Sequence, residues 1–208
     1  MNLALAVAAL PRTLALYYVD LRVRRRTAGQ PVRFTFPEVL TAVLVAGCFL
    51  RFGLSGEAFV AAFFVTALVV LSAIDIEQRL LPDRIVLPSA AVVVAAHLVL
   101  APERWLEWLL APLGASLLLF ATLLVHPRGM GMGDVKLCLL LGAALGKLVL
   151  VALVVGFTAA LLPALLLVVR HGSRGRKMGI PFGPFLAFGA VVALFWGEAL
   201  LSAYVGTL

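Results

Sequence analysis

Apolar runs of roughly span length alternate with short polar breaks along almost the whole chain. The runs cover residues 1–19, 37–54, 58–74, 85–100, 105–126, 135–146 and 148–169, with a last one ending near Ala203. No stretch shows the period-two alternation of a membrane barrel strand, so the pattern predicts an all-α polytopic transmembrane bundle of about eight segments. Two segments are irregular. Pro11 and Arg12 interrupt the first. The segment after Asp134 is short: residues 135–146 make a helix of only about 18 Å against a hydrocarbon core of about 30 Å. Whether 1–19 and 135–146 cross completely is open at this level.

Composition sharpens this picture without changing it. The chain has 208 residues, of which 63% are hydrophobic and 13% charged, and a mean hydropathy of +1.12. The net charge of +7 would suit nucleic acid, but its placement argues against that partner. Arginines gather in alternate breaks, near residues 20–33, 76–84, 126–134 and 170–178. Such breaks stay on the cytoplasmic side. Both chain termini are then expected outside, and Asp75 and Asp134 both fall on the arginine-rich side. Trp105 and Trp108 read as interface anchors, and Arg51 as a snorkelling side chain near the end of its span. Cys48 and Cys138 lie within apolar runs and read as small core residues, while His97 and His126 lack partners at metal spacing. No metal site is expected.

Candidate chemistry concentrates in two places. Gly129-Met130-Gly131-Met132-Gly133-Asp134-Val135-Lys136 sets three alternating glycines before an acid at the mouth of an apolar segment. Bare backbone there lets another polypeptide approach closely, and an acid at that depth is costly to keep. Asp75 closes a second apolar run at Ile74-Asp75-Ile76-Glu77. Two carboxylates that share one proton can activate water and protonate a carbonyl, which is what peptide hydrolysis requires. Each acid also has a structural reading: Asp75 as the end of a span, Asp134 as an N-cap. Asp83 and Pro82 suit the first turn of the next helix, and Lys136 leans structural. No nucleophile elbow, zinc-binding His pair or Walker loop competes.

The blocks Ile74-Asp75-Ile76-Glu77-Gln78-Arg79-Leu80-Leu81-Pro82-Asp83 and Gly131-Met132-Gly133-Asp134-Val135-Lys136-Leu137 resemble those of the type IV prepilin peptidases, members of the GxGD aspartic membrane proteases. Ile180-Pro181-Phe182-Gly183-Pro184-Phe185-Leu186 and Phe36-Pro37-Glu38-Val39-Leu40-Thr41-Ala42 resemble that family's other blocks, in the right order. The resemblance implies a single integral-membrane aspartic peptidase domain over residues 1–208, in the inner membrane, with its active site facing the cytoplasm. It implies prepilins or pseudopilins as substrates, served in pilus assembly or protein secretion, and Asp75 and Asp134 as the catalytic pair. Gly131, Gly133, Lys136, Pro82, Asp83, Pro181 and Gly183 are expected to shape the site or hold substrate. Proteolysis needs no cofactor on this reading. Many members also methylate the new N-terminus from S-adenosylmethionine and carry a cysteine-bearing cytoplasmic insertion; here residues 20–36 form only a short basic loop, which leaves methylation open.

The rival from another class is a non-enzymatic transporter or assembly subunit that uses intramembrane acids for ions. Such a protein would carry acids near mid-span and an internal repeat. Neither is evident here. A signal-peptide-peptidase relative would carry Tyr-Asp where this chain has Ile74-Asp75.

Overall fold

The structure, a computed structural model, describes residues 36–125, 131–171 and 181–206. Over these residues the chain forms seven α-helices: α1 (Phe36–Phe52), α2 (Gly56–Gln78), α3 (Asp83–Leu100), α4 (Trp105–Val125), α5 (Met132–Leu145), α6 (Val149–His171) and α7 (Gly183–Val205). Short 3-10 turns, Pro102–Arg104 and Gly146–Leu148, precede α4 and α6. The helices coincide with the second to eighth expected segments. Among the described residues five stretches are long and apolar enough to cross a membrane, α1 being too short and Met132–Leu167 counting as one stretch through the turn at Gly146. The expected first segment and nearly all of the basic loop at 20–36 lie outside the described residues.

α2 is the central helix. It packs against α1, α3 and α7, and half of its apolar window is buried within the protein, more than in any other span. Its ends are built locally. Ser55 caps the start, its hydroxyl accepting from the Ala58 amide at 3.2 Å, which satisfies one of the orphan donors there. The other end closes at Arg79, whose φ of 53° is left-handed and whose N–H donates to the Asp75 carbonyl at 2.8 Å. This is a C-terminal cap of the αL kind, usually held by glycine. The helix therefore runs one turn past Asp75 instead of ending there.

Small residues let the other helices close in. A Cβ on Gly142 of α5 would lie 2.5 Å from the Cα of Pro112 in α4. Gly189 of α7 sits equally tightly on the backbone of Ala152 and Gly156 in α6. Such contacts are how helices associate where lipid removes the hydrophobic driving force between them. Gly183, Asp75, Leu81, Gly133 and Asp83 gather at one end of the bundle, while Gly56 against Leu100, Gly146 against Trp108 and Gly197 against Leu148 mark the other.

Two expectations are corrected. The helix carrying Asp134 begins at Met132, not Val135, and its 14 residues give about 21 Å. Trp108 is no interface anchor: it is buried, stacked on His97 with ring centroids 4.0 Å apart. Trp105 is exposed as expected. His97 is a packed residue, as expected, its Nδ1–H donating to the Ala143 carbonyl at 3.0 Å.

Candidate active site

Asp75, on the last turn of α2, and Asp134, on the first turn of α5, come from helices that meet at one end of the bundle. Both are buried, at 6% and 8% exposure, and each lies within electrostatic reach of the other. Helix geometry explains how each is aimed. Asp134 is the third residue of α5 and not its N-cap; Gly131 holds the cap. From that position the carboxylate reaches back one turn, and its Oδ2 accepts the Gly131 N–H at 3.2 Å. The Gly131 carbonyl accepts the Asp134 N–H at 3.1 Å in return, so the glycine backbone serves where a capping side chain normally would.

Asp75 is held from the far end of the chain. The N–H of Gly183, first residue of α7, donates to its Oδ2 at 2.9 Å in a buried contact. A helix start presents unpaired N–H groups, so it is a ready partner for a carboxylate. The fit admits no side chain: a Cβ on Gly183 would lie 2.7 Å from that same oxygen. In both aspartates Oδ2 is committed to a glycine amide. Among the described residues Oδ1 takes no hydrogen bond in either, and neither oxygen is sealed from water.

The remaining expected residues fall into two groups. Gly133 belongs with the aspartates, since its bare Cα lets Leu81 pack where a Cβ would be only 3.0 Å from the leucine's own. That contact joins the loop after α2 to the turn carrying Asp134. Pro82 caps the start of α3, and Pro181 is half-buried two residues before Gly183. Lys136 and Asp83 do not join the acids; they pair with each other at 2.6 Å, partly exposed, across α5 and α3. One supporting contact had no signal in the sequence. The Ser116 hydroxyl of α4 donates to the Val135 carbonyl at 3.1 Å, which pins the residue next to Asp134. A serine within an apolar helix is the only hint, and its partner is set by packing.

The acids are recessed rather than placed at the rim. Phe157 of α6 packs on Phe182 beside the Gly183 amide, with centroids 5.2 Å apart, and α6 continues to His171. That is about 21 Å of further helix. Its Leu161, Leu162, Leu165 and Leu166 are exposed, so an apolar wall stands beyond the level of the carboxylates. Among the described residues no group of three or more His, Cys, Asp or Glu is placed to hold a metal ion.

Comparison with known proteins points to a family. The profile of the type IV leader peptidase family matches residues 62–168, which include both aspartates. The chain is 31% identical over 184 residues to a prepilin leader peptidase/N-methyltransferase of Bacillus subtilis, covering 86% of this chain and 73% of that protein. It is 32% identical over 201 residues to the protein of that name from Xanthomonas campestris, covering 90% and 68%. The like-named protein of Burkholderia pseudomallei is 33% identical over 208 residues, covering 88% and 61%. No solved structure matches the chain.

Proposed function

The chain belongs to the type IV leader peptidase family, and from that premise we propose that this multi-pass membrane peptidase removes the basic leader of prepilins or pseudopilins with Asp75 and Asp134. The observation that carries the proposal is the matched holding of two buried carboxylates. Each gives one oxygen to a glycine N–H, Gly183 for Asp75 and Gly131 for Asp134, and keeps the other for chemistry.

In the proposed reaction one aspartate is ionised and its partner protonated. The ionised carboxylate takes a proton from water as the water oxygen bonds to the scissile carbonyl carbon. The protonated partner gives its proton to the carbonyl oxygen. Collapse of the tetrahedral species breaks the C–N bond: the departing amine leaves with the proton the first carboxylate took up, and the partner carboxylate takes a proton back from a hydroxyl of the tetrahedral carbon as C=O re-forms. The pair thus ends with one proton, as it began. Holding both groups by backbone rather than by flexible side chains keeps them aligned, and alignment contributes a large share of such a rate enhancement.

Substrate class follows the same logic. A prepilin offers a cationic leader followed by an apolar helix. The exposed leucines of α6 beyond the aspartates suit that helix, and the arginine-rich loops support a cytoplasmic position for this end of the bundle. One domain over residues 1–208 carries the activity in the inner membrane. S-adenosylmethionine would serve only the methylation named in the relatives. Nearly all of the segment tied to that activity, 20–36, lies outside the described residues.

Co-expression with a candidate prepilin tests the reading. The expected outcome is loss of the leader, seen as a gel shift. Prepilin that stays full-length beside well-expressed enzyme contradicts it.

A further inference from the structure

The end of the bundle opposite the aspartates holds a cavity of about 200 Å³ that the proteolytic reading does not use. Phe64 of α2, His97 of α3 and Trp108 of α4 line it, with Phe195 of α7. Its mouth carries charges of both signs. Arg51 ends α1, Glu57 opens α2, Lys147 sits in the turn between α5 and α6, and Glu198 lies near the end of α7. Among the described residues none of these four side chains is in an ion pair.

The neighbouring charges are already satisfied. Arg104 binds Glu107 at 2.8 Å and lies 4.9 Å from the Trp108 ring, and Glu107 also accepts the Lys147 backbone N–H at 2.8 Å. The mouth therefore offers two cations and two anions outside any ion pair among the described residues, with Arg51 lying 6.0 Å from the Phe52 ring centroid, a zwitterionic set with no net charge.

His97 adds a polar group on the cavity wall. It is only 8% exposed, and a carbonyl can only accept, so the bond to Ala143 places the ring proton on Nδ1. Nε2 is left as an acceptor. Among the described residues it has no partner, yet it is not sealed from contact. Glu57 lies within electrostatic reach of the ring. This acceptor beside a carboxylate calls for a ligand with N–H donors and positive charge; Arg51 and Lys147 call for an anionic oxygen group.

Helix ends are where a bilayer presents its headgroups. We propose that this cavity binds the headgroup of a phospholipid of phosphoethanolamine type, its phosphate at Arg51 and Lys147 and its primary ammonium toward Glu57 and His97. The aromatic walls receive the adjoining glycerol and first methylenes. A phosphocholine lipid lacks the N–H donors, and a phosphoglycerol lipid lacks the cation. The inference is independent of which peptide the aspartates cut.

The test is native mass spectrometry of the full chain, delipidated in neutral detergent and titrated with phosphatidylethanolamine, phosphatidylcholine, phosphatidylglycerol or free phosphoethanolamine. Phosphatidylethanolamine is expected to bind at least about tenfold tighter than the other two lipids. Arg51→Gln and Glu57→Gln are each expected to weaken it about tenfold, the effect of losing one charge-assisted hydrogen bond. Both variants are expected to keep the wild-type melting curve and peptidase rate, since the cavity is remote from Asp75 and Asp134. Equal binding of all three lipids, or unchanged binding in both variants, overturns the proposal. Free phosphoethanolamine binding as tightly as the lipid overturns the membrane source.

Discussion

Gly183 gives its backbone N–H to the Oδ2 of Asp75 at 2.9 Å across 108 positions of sequence, joining the start of the last helix to the end of the central one. The contact works only because residue 183 has no Cβ. In Gly183→Ala the new methyl would lie 2.7 Å from the carboxylate oxygen and 3.2 Å from its carbon. The cheapest relief is to turn the carboxylate away, so leader cleavage is expected to fall about a hundredfold, the scale of a 1 Å misplacement. Melting temperature in detergent is expected to change little. A Gly183→Ala enzyme that cuts at the wild-type rate would show that this bond does not position Asp75.

Close backbone approach elsewhere holds the helices and not the site. Gly142→Ala drives a methyl into the Pro112 backbone, with Pro112 Cα at 2.5 Å and the Ala111 carbonyl oxygen at 2.6 Å. Helices α4 and α5 must separate, at a cost of about 1–3 kcal/mol. Gly114→Ala, on α4 but with open space around it, is the matched control and is expected to cause no loss. Thermal unfolding of the two purified variants checks the contrast, and equal melting temperatures would refute it.

The Lys136–Asp83 pair is short, at 2.6 Å, but Asp83 is 54% exposed. Exposed pairs contribute about 0.2–1 kcal/mol. Lys136→Met and Asp83→Asn are each expected to lower stability by no more than that and to leave cleavage near wild type. A double-mutant cycle on unfolding measures the coupling. If Lys136→Met alone abolished cleavage while Asp83→Asn did not, Lys136 would be acting on the acids or the substrate.

Much of the arrangement is legible in the residues themselves. Apolar run lengths place seven helices, and alternating arginine-rich breaks put Asp75 and Asp134 at one end before any contact is known. What the sequence leaves hidden is three-dimensional. The glycine before Asp134 looks like bare backbone for a partner chain, yet Gly131 serves as the cap that Asp134 itself binds. Gly183 stands in a recognisable block, but nothing local says that its amide meets Asp75. Trp108 has the position of an interface anchor, and only packing against His97 reveals it as a buried ring. The recess of the acids depends on how far α6 runs past them, which run length alone does not reveal.

The direct test of the account is the initial rate of prepilin leader removal by wild type, Asp75→Asn and Asp134→Asn, purified to equal amounts with matching melting curves. Asparagine keeps the shape of each side chain and its acceptor for the glycine N–H, but it cannot exchange a proton. Each variant is expected to lose at least about a hundredfold in rate, the scale of a positioned acid or base. Cleavage at the wild-type rate by either variant would contradict the shared-proton mechanism.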